Sequence, residues 1–265
     1  MAVRTIFSMA EDCARDQRLG WQEFVRDYAG IARTLLAHYF PTLKPELDQH
    51  VPAVFARARG NGSAWFSSFH FSNEREFLMA FRGLVFAYGR EQEHVPAPQL
   101  SLEQLSEIMK DLSVVEREVL WFFIKGYEAA QIGPMLSNLE TTAASLKSVA
   151  DERLSAVIPG STPDAFVASA RLLMEEAEKK GSEKCLSLKT FNNMINGQLS
   201  WRERDLTEEH IKDCFYCIDR YTSFCEGIRL RKDAQPLAEP EAEEILGKMG
   251  VPAKASKGLL AKFFS

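Results

Sequence analysis

His210, Cys214 and Cys217 stand at positions i, i+4 and i+7, and Cys185 lies 25 residues before the first of them. No other feature of the chain restricts its folding so tightly. On one continuous helix the three later residues would share a face. If the chain instead turns after Cys214, the C-x-x-C pair grips a metal from the turn itself. Either geometry gathers three soft or borderline donors, and Cys185 from a neighbouring helix completes a tetrahedral Cys3His set over residues 185–217. Three thiolates and an imidazole suit zinc better than an iron–sulfur cluster. Two other readings compete. A thioredoxin-type redox pair expects βαβ surroundings, and these are helical; cysteines acting as small buried hydrophobes leave the position of His210 unaccounted for. A closed four-ligand site has no open position for a catalytic water, so zinc here is expected to organise a fold.

The chain has 265 residues, 46% of them hydrophobic, enough for two domains or three small ones. Its formal net charge of −5 argues against a dedicated nucleic-acid binder, which needs cations to neutralise phosphates. Five cysteines, an odd number, do not form a secreted disulfide framework. The opening MAVRTIFSMAEDCARD lacks an apolar stretch of signal-peptide length, and no window approaches 18 consecutive apolar residues. A cytoplasmic protein with reduced thiols and no membrane contact is the expectation. There is no phosphate-binding glycine-rich loop and no Ser-His-Asp order, so no enzyme is expected.

Helical periodicity dominates and almost nothing reads as strand, so the fold class is all-α. Trp21, Phe24, Val25, Tyr28, Ile31, Leu35 and Tyr39 recur at three- and four-residue steps over 20–40. Further helices are expected at 46–59 and 74–90, with GNGSAWFSSFHFSN as a turn-rich aromatic loop between them. After the linker EQEHVPAPQ, helices are expected at 101–110, 113–125, 128–136 and 140–157. Ser113 and Glu116 have capping-box spacing. A helix over 164–180 leads to the cysteine-bearing unit. The segment 231–265, rich in Pro, Ala, Glu and Lys, reads as a flexible tail with room for short helices at 239–249 and 256–264.

The stretch CLSLKTFNNMINGQLSWRERDLTEEHIKDCFYC resembles the zinc-containing anti-sigma factor domain: a first Cys, a helix, a turn at Asn196-Gly197-Gln198-Leu199-Ser200, a Glu-rich helix with Glu203, Glu208 and Glu209, then H-x-x-x-C-x-x-C. Such domains clamp sigma factors away from RNA polymerase, some responding to redox through the zinc thiolates. Cys225 is then either a spare thiol for such a switch or a simple buried cysteine.

Residues 101–157 resemble the promoter-recognition domain of sigma factors of the extracytoplasmic-function type. Leu112 and Ser113 open the segment, Glu116–Val119 match its Arg-Glu-Val core, and Gly126, Tyr127, Gln131 and Ile132 follow. The resemblance implies a helix-turn-helix whose recognition helix begins at Thr142 and Ala143 and offers Lys147 and Arg153 to DNA. The segment holds five Lys and Arg against nine Asp and Glu, and Asp151 and Glu152 sit where cations are expected, which weakens promoter contact. The front of the chain resembles the other half of such a sigma factor. WQEFVRDYAGIARTLLAHYF matches its first helix, HVPAVFARA the next, and Ser72–Arg90 the melting helix, with Arg82 and Arg90 as its basic end. Trp65, Phe66, Phe69 and Phe71 could stack on unpaired bases or pack as core.

Together these imply a sigma region-two-like domain at 1–95, a region-four-like helix-turn-helix domain at 101–158, a zinc-binding anti-sigma-like domain at 183–230 and a tail. The implied function is a transcription regulator that docks on RNA polymerase core, contacts promoter DNA weakly and is regulated by its own zinc module folding back on it. The alternative is a protein-interaction scaffold that keeps the sigma fold without DNA binding.

Overall fold

A computed structural model describes residues 4–93, 100–136, 143–147, 152 and 163–252. Every regular element among them is helical: α1 (Ile6–Ala14), α2 (Arg18–Tyr39), a 3-10 turn (Pro41–Glu46), α3 (Leu47–Ser67), α4 (Glu74–Gln92), α5 (Leu102–Met109), α6 (Val114–Ile124), α7 (Ala129–Met135), α8 (Pro163–Lys179), α9 (Leu188–Ile195), α10 (Trp201–Asp213), α11 (Phe215–Asp233) and α12 (Glu239–Lys248). Residues 143–147 are also helical. No helix among the described residues is long and apolar enough to cross a membrane.

Local chemistry sets several of the boundaries. Ser113 opens α6 with the expected capping box: the Glu116 amide donates to Ser113 Oγ at 3.4 Å and the Ser113 amide to Glu116 Oε2 at 2.8 Å. Gly126 closes α6 with φ +86°, the Gly126 amide bonding the Phe123 carbonyl and the Tyr127 amide the Phe122 carbonyl. That pair of bonds is a Schellman motif, and it delivers Tyr127 to the interior. In α3 the helix breaks at 60–63, where Asn61, Gly62 and Ser63 take positive φ, so the expected loop shrinks to a kink followed by one more turn.

The chain divides into two units. The first is assembled from 4–33, 46–70 and 234–252. Trp21, Phe24, Val51, Val54 and Phe55 are fully buried there, and Phe24 meets Phe55 edge-on at 4.8 Å and Phe66 at 5.4 Å. Trp65 stacks on Phe24 and touches Phe66 and Phe69, so three of the four aromatics considered as base-stacking candidates pack against protein. Phe71, the fourth, meets Phe77 at 5.3 Å in the second unit.

Residues 231–252 depart from the expected flexible tail. Residues 231–233 finish α11, and α12 packs on α3 with Ala242, Ile245 and Leu246 buried. Polar contacts fix the segment: the Leu237 amide bonds the Arg26 carbonyl at 2.9 Å, Lys248 reaches the Asp48 carbonyl at 3.2 Å, and Arg18 pairs with Glu243. Composition suggested a tail because three apolar side chains one helical turn apart are few; they suffice when a neighbouring helix offers an apolar face. Leu246→Ala should therefore cost the first unit about 3 kcal/mol, measured as a lowered urea midpoint. An unchanged midpoint would show that α12 adds nothing to that core.

The second unit comprises 34–45 and 71–233. Its axis is α11, which lies against α4, α6, α7, α8 and α10. Within this unit α4, from the front segment, lies against α11, from the cysteine-bearing segment. Arg171 of α8 is buried and pairs with Glu93 at 2.6 Å, its guanidinium over the Phe40 ring.

Candidate metal centre

The four expected ligands come together with Cys185 in the turn before α9, not on a neighbouring helix, His210 on α10, Cys214 between α10 and α11, and Cys217 in the first turn of α11. Ser187 caps α9, its Oγ accepting the Thr190 amide at 3.2 Å. The helix stops at Asn196, and Gly197 at φ +65° supplies the left-handed residue that the reversal needs. Ser200 and Glu203 then form a reciprocal capping box, with bonds of 3.3 Å and 2.9 Å, that starts α10. His210 sits in the last turn of α10. Cys214 is extended at φ −122° and ψ 107°, so the helix breaks there and Cys217 opens α11. The C-x-x-C pair therefore works from a turn and not from one continuous helix.

The ligand atoms of Cys185, His210, Cys214 and Cys217 all lie within 4.8 Å of one another. Thiolates about 2.3 Å from a tetrahedral zinc stand about 3.8 Å apart. Cys185 Sγ and Cys214 Sγ are 3.8 Å apart, too far for a disulfide and right for a shared ion. His210 Nε2 is buried without a hydrogen-bond partner, a costly arrangement unless that nitrogen ligates. The sulfurs also receive amide donors, as metal thiolates do. The Leu186 amide points at Cys217 Sγ at 3.4 Å and the Ser182 amide at Cys185 Sγ at 3.3 Å. Burial raises the Cys185 thiol, but the bonds from Ser182 and the neighbouring sulfurs prevail and its pKa falls below the ordinary value. Burial dominates at Cys217 and raises it; a bound cation would reverse that. The residues fit a closed four-coordinate ion and leave no open position for a reacting water.

Arg117 ties this centre to α6. Its guanidinium donates to the carbonyls of Lys212 at 2.6 Å, Lys110 at 3.0 Å and Leu112 at 3.1 Å, so a cation covers the exposed carbonyl end of α10. Cys225 stands apart from the cluster. It is buried, and burial together with the Glu118 charge pushes its thiol up to about 12, which makes it a poor redox partner.

The expected DNA-contacting residues are not gathered on a basic surface. Arg82 is buried, its Nε 2.8 Å from Glu226 Oε2, because burying α11 against α4 requires a cation for that carboxylate. Arg90 pairs with Glu175 at 3.0 Å, and Lys147 lies 3.2 Å from Glu128. Thr142 and Arg153 fall outside the described residues. Sequence reasoning missed the polar groups buried around α11: Lys125, Asp219 and Glu226. The one signal was their spacing, since 219, 222, 223 and 226 mark a single helical face. Comparison with known proteins found no matching family model, no matching curated protein and no matching solved structure.

Proposed function

We propose that this chain is a sigma factor-like transcription regulator whose own zinc-bearing helix covers the surfaces it would present to RNA polymerase core. The observation carrying this reading is the position of α11. It begins at the Cys3His centre and lies against α4, from the segment resembling sigma region two, and against α6 and α7, from the segment resembling region four. A cover built into the same chain acts at an effective concentration on the order of millimolar, so modest intrinsic affinity suffices to keep it closed. Zinc is the metal the donor set favours, and its role here is to set the end of α11.

A second reading, a scaffold that keeps the sigma fold as a docking surface for proteins, is favoured by the basic residues. Arg82, Arg90 and Lys147 are all engaged by carboxylates of the chain itself, which leaves them little capacity for phosphate. Co-purification of the full chain with RNA polymerase core, zinc-loaded and after chelation, separates the two. Binding that strengthens on zinc removal supports the covered regulator. No polymerase under either condition would favour the scaffold.

A further inference from the structure

Asp219, Thr222, Ser223 and Glu226 occupy one face of α11, and that face points inward. Thr222, Ser223 and Glu226 are almost wholly inaccessible, and the Asp219 side chain is 16% exposed. A polar stripe in a helix interface is costly unless each group finds a partner. Here the partners come from three places. Glu226 accepts from Tyr39 Oη of α2 at 2.5 Å, from Arg82 Nε of α4 at 2.8 Å, and from Tyr127 Oη after α6. Lys125, fully buried, donates to Thr222 Oγ1 at 2.8 Å and Ser223 Oγ at 3.0 Å and pairs with Asp219 Oδ1 at 2.9 Å. Trp121 Nε1 donates to the same Asp219 oxygen at 3.0 Å.

Two carboxylates meet two cations, Glu226 with Arg82 and Asp219 with Lys125, and Tyr127 on Glu226 joins the first pair to the turn that carries the second. The two sides are also linked to each other. His38, at the end of α2, stacks on Tyr127 with ring centroids 4.4 Å apart, and its Nε2 lies 2.7 Å from the Lys125 carbonyl. A carbonyl only accepts, so Nε2 carries the proton. Burial lowers the His38 pKa, consistent with a neutral ring.

We infer that this stripe is a single lock: α4 and the α6–α7 turn leave α11 together or not at all. Glu226 is one carboxylate held from both sides. Withdrawing the α6–α7 turn removes Tyr127 from it and Lys125 from Asp219, and admits water to the joint. The remaining Arg82–Glu226 contact then becomes a solvated pair, and such pairs hold little. A breach on the α4 side has the same effect on Lys125 and Asp219. The first breach therefore weakens the second, which is the condition for concerted opening. What the opening uncovers rests on the sigma-like reading proposed above; the concertedness does not.

Amide hydrogen exchange of the zinc-loaded full chain tests this without polymerase, so its failure and the failure of that reading are distinguishable. Tyr127→Phe removes one donor to Glu226 and keeps the ring on His38; Tyr39→Phe removes the donor that α2 supplies. Each variant should speed exchange about tenfold both in α4 around Arg82 and in residues 120–127. Faster exchange confined to the substituted side would overturn the lock. So would an equal loss of protection extending through all of α8, which would make the unit one undivided block. Lys125→Met, which strips the stripe of a cation, should exceed both phenylalanine variants in the same two segments.

Discussion

A full chain carrying Cys217→Ser should lose stoichiometric zinc and lose structure first in α9, α10 and the opening turns of α11. Cys217 is buried, takes the Leu186 amide on its sulfur, and begins the helix on which the second unit is organised. A serine hydroxyl there is a poor zinc ligand and stays protonated, so the site falls to three donors. Where free zinc exceeds its dissociation constant a thousandfold, the bound ion contributes about 4 kcal/mol of stability, and the variant forgoes it. Metal content and thermal unfolding measured together check this. Cobalt substitution adds an optical test, since a tetrahedral thiolate-rich site colours the protein and a broken one does not. Full zinc content in the variant would refute the ligand assignment.

Glu118→Gln should stabilise the protein, by an amount that grows with pH. Glu118 is 5% exposed on α6, and its pKa is raised to about 8, first by burial and then by the Glu208 charge, with Arg204 opposing. In the unfolded chain a glutamate releases its proton near pH 4.3. Between that pH and about 8 the unfolded state is ionised while the folded state keeps its proton, so stability falls by about 1.4 kcal/mol per pH unit. Above about 8 both states are ionised and the penalty is constant. Below the unfolded pKa both are protonated and the penalty vanishes. The neutral amide escapes this, gaining up to about 5 kcal/mol by pH 8 and almost nothing at pH 4. Denaturant midpoints at those two pH values measure the difference, and an equal gain at both would mean that the carboxyl is already ionised in the fold.

Much of the local structure was legible in the residues. The three- and four-residue steps of Trp21 to Tyr39 mark α2 because a helix burying one stripe must repeat that way. Ser113 with Glu116, and Ser200 with Glu203, announced helix starts because each pair satisfies the amides that a first turn leaves open. The Cys3His cluster was legible because metal coordination tolerates few residue types and few spacings. What was not legible depends on partners distant in sequence. Glu226 in isolation reads as solvent-facing; Arg82, 144 positions away, with Tyr39 and Tyr127, compensates its burial. Arg82 in turn reads as a free cation on a helix end until that carboxylate is found. The same holds for Leu246, whose packing depends on α3 and not on its own neighbours in the chain.

The first unit is built from early, middle and late parts of the chain, with α12 its last helix among the described residues. Ribosomes add roughly 5–20 residues per second, so α12 follows α1 by tens of seconds. The second unit, whose last helix ends at Asp233, has all its parts before then. A nascent chain therefore completes the half that carries the Cys3His cluster first and spends the interval with the apolar face of α3 waiting for Ala242, Ile245 and Leu246. For that time chaperones have a definite surface to hold, and a premature stop just after α11 would leave it exposed for good.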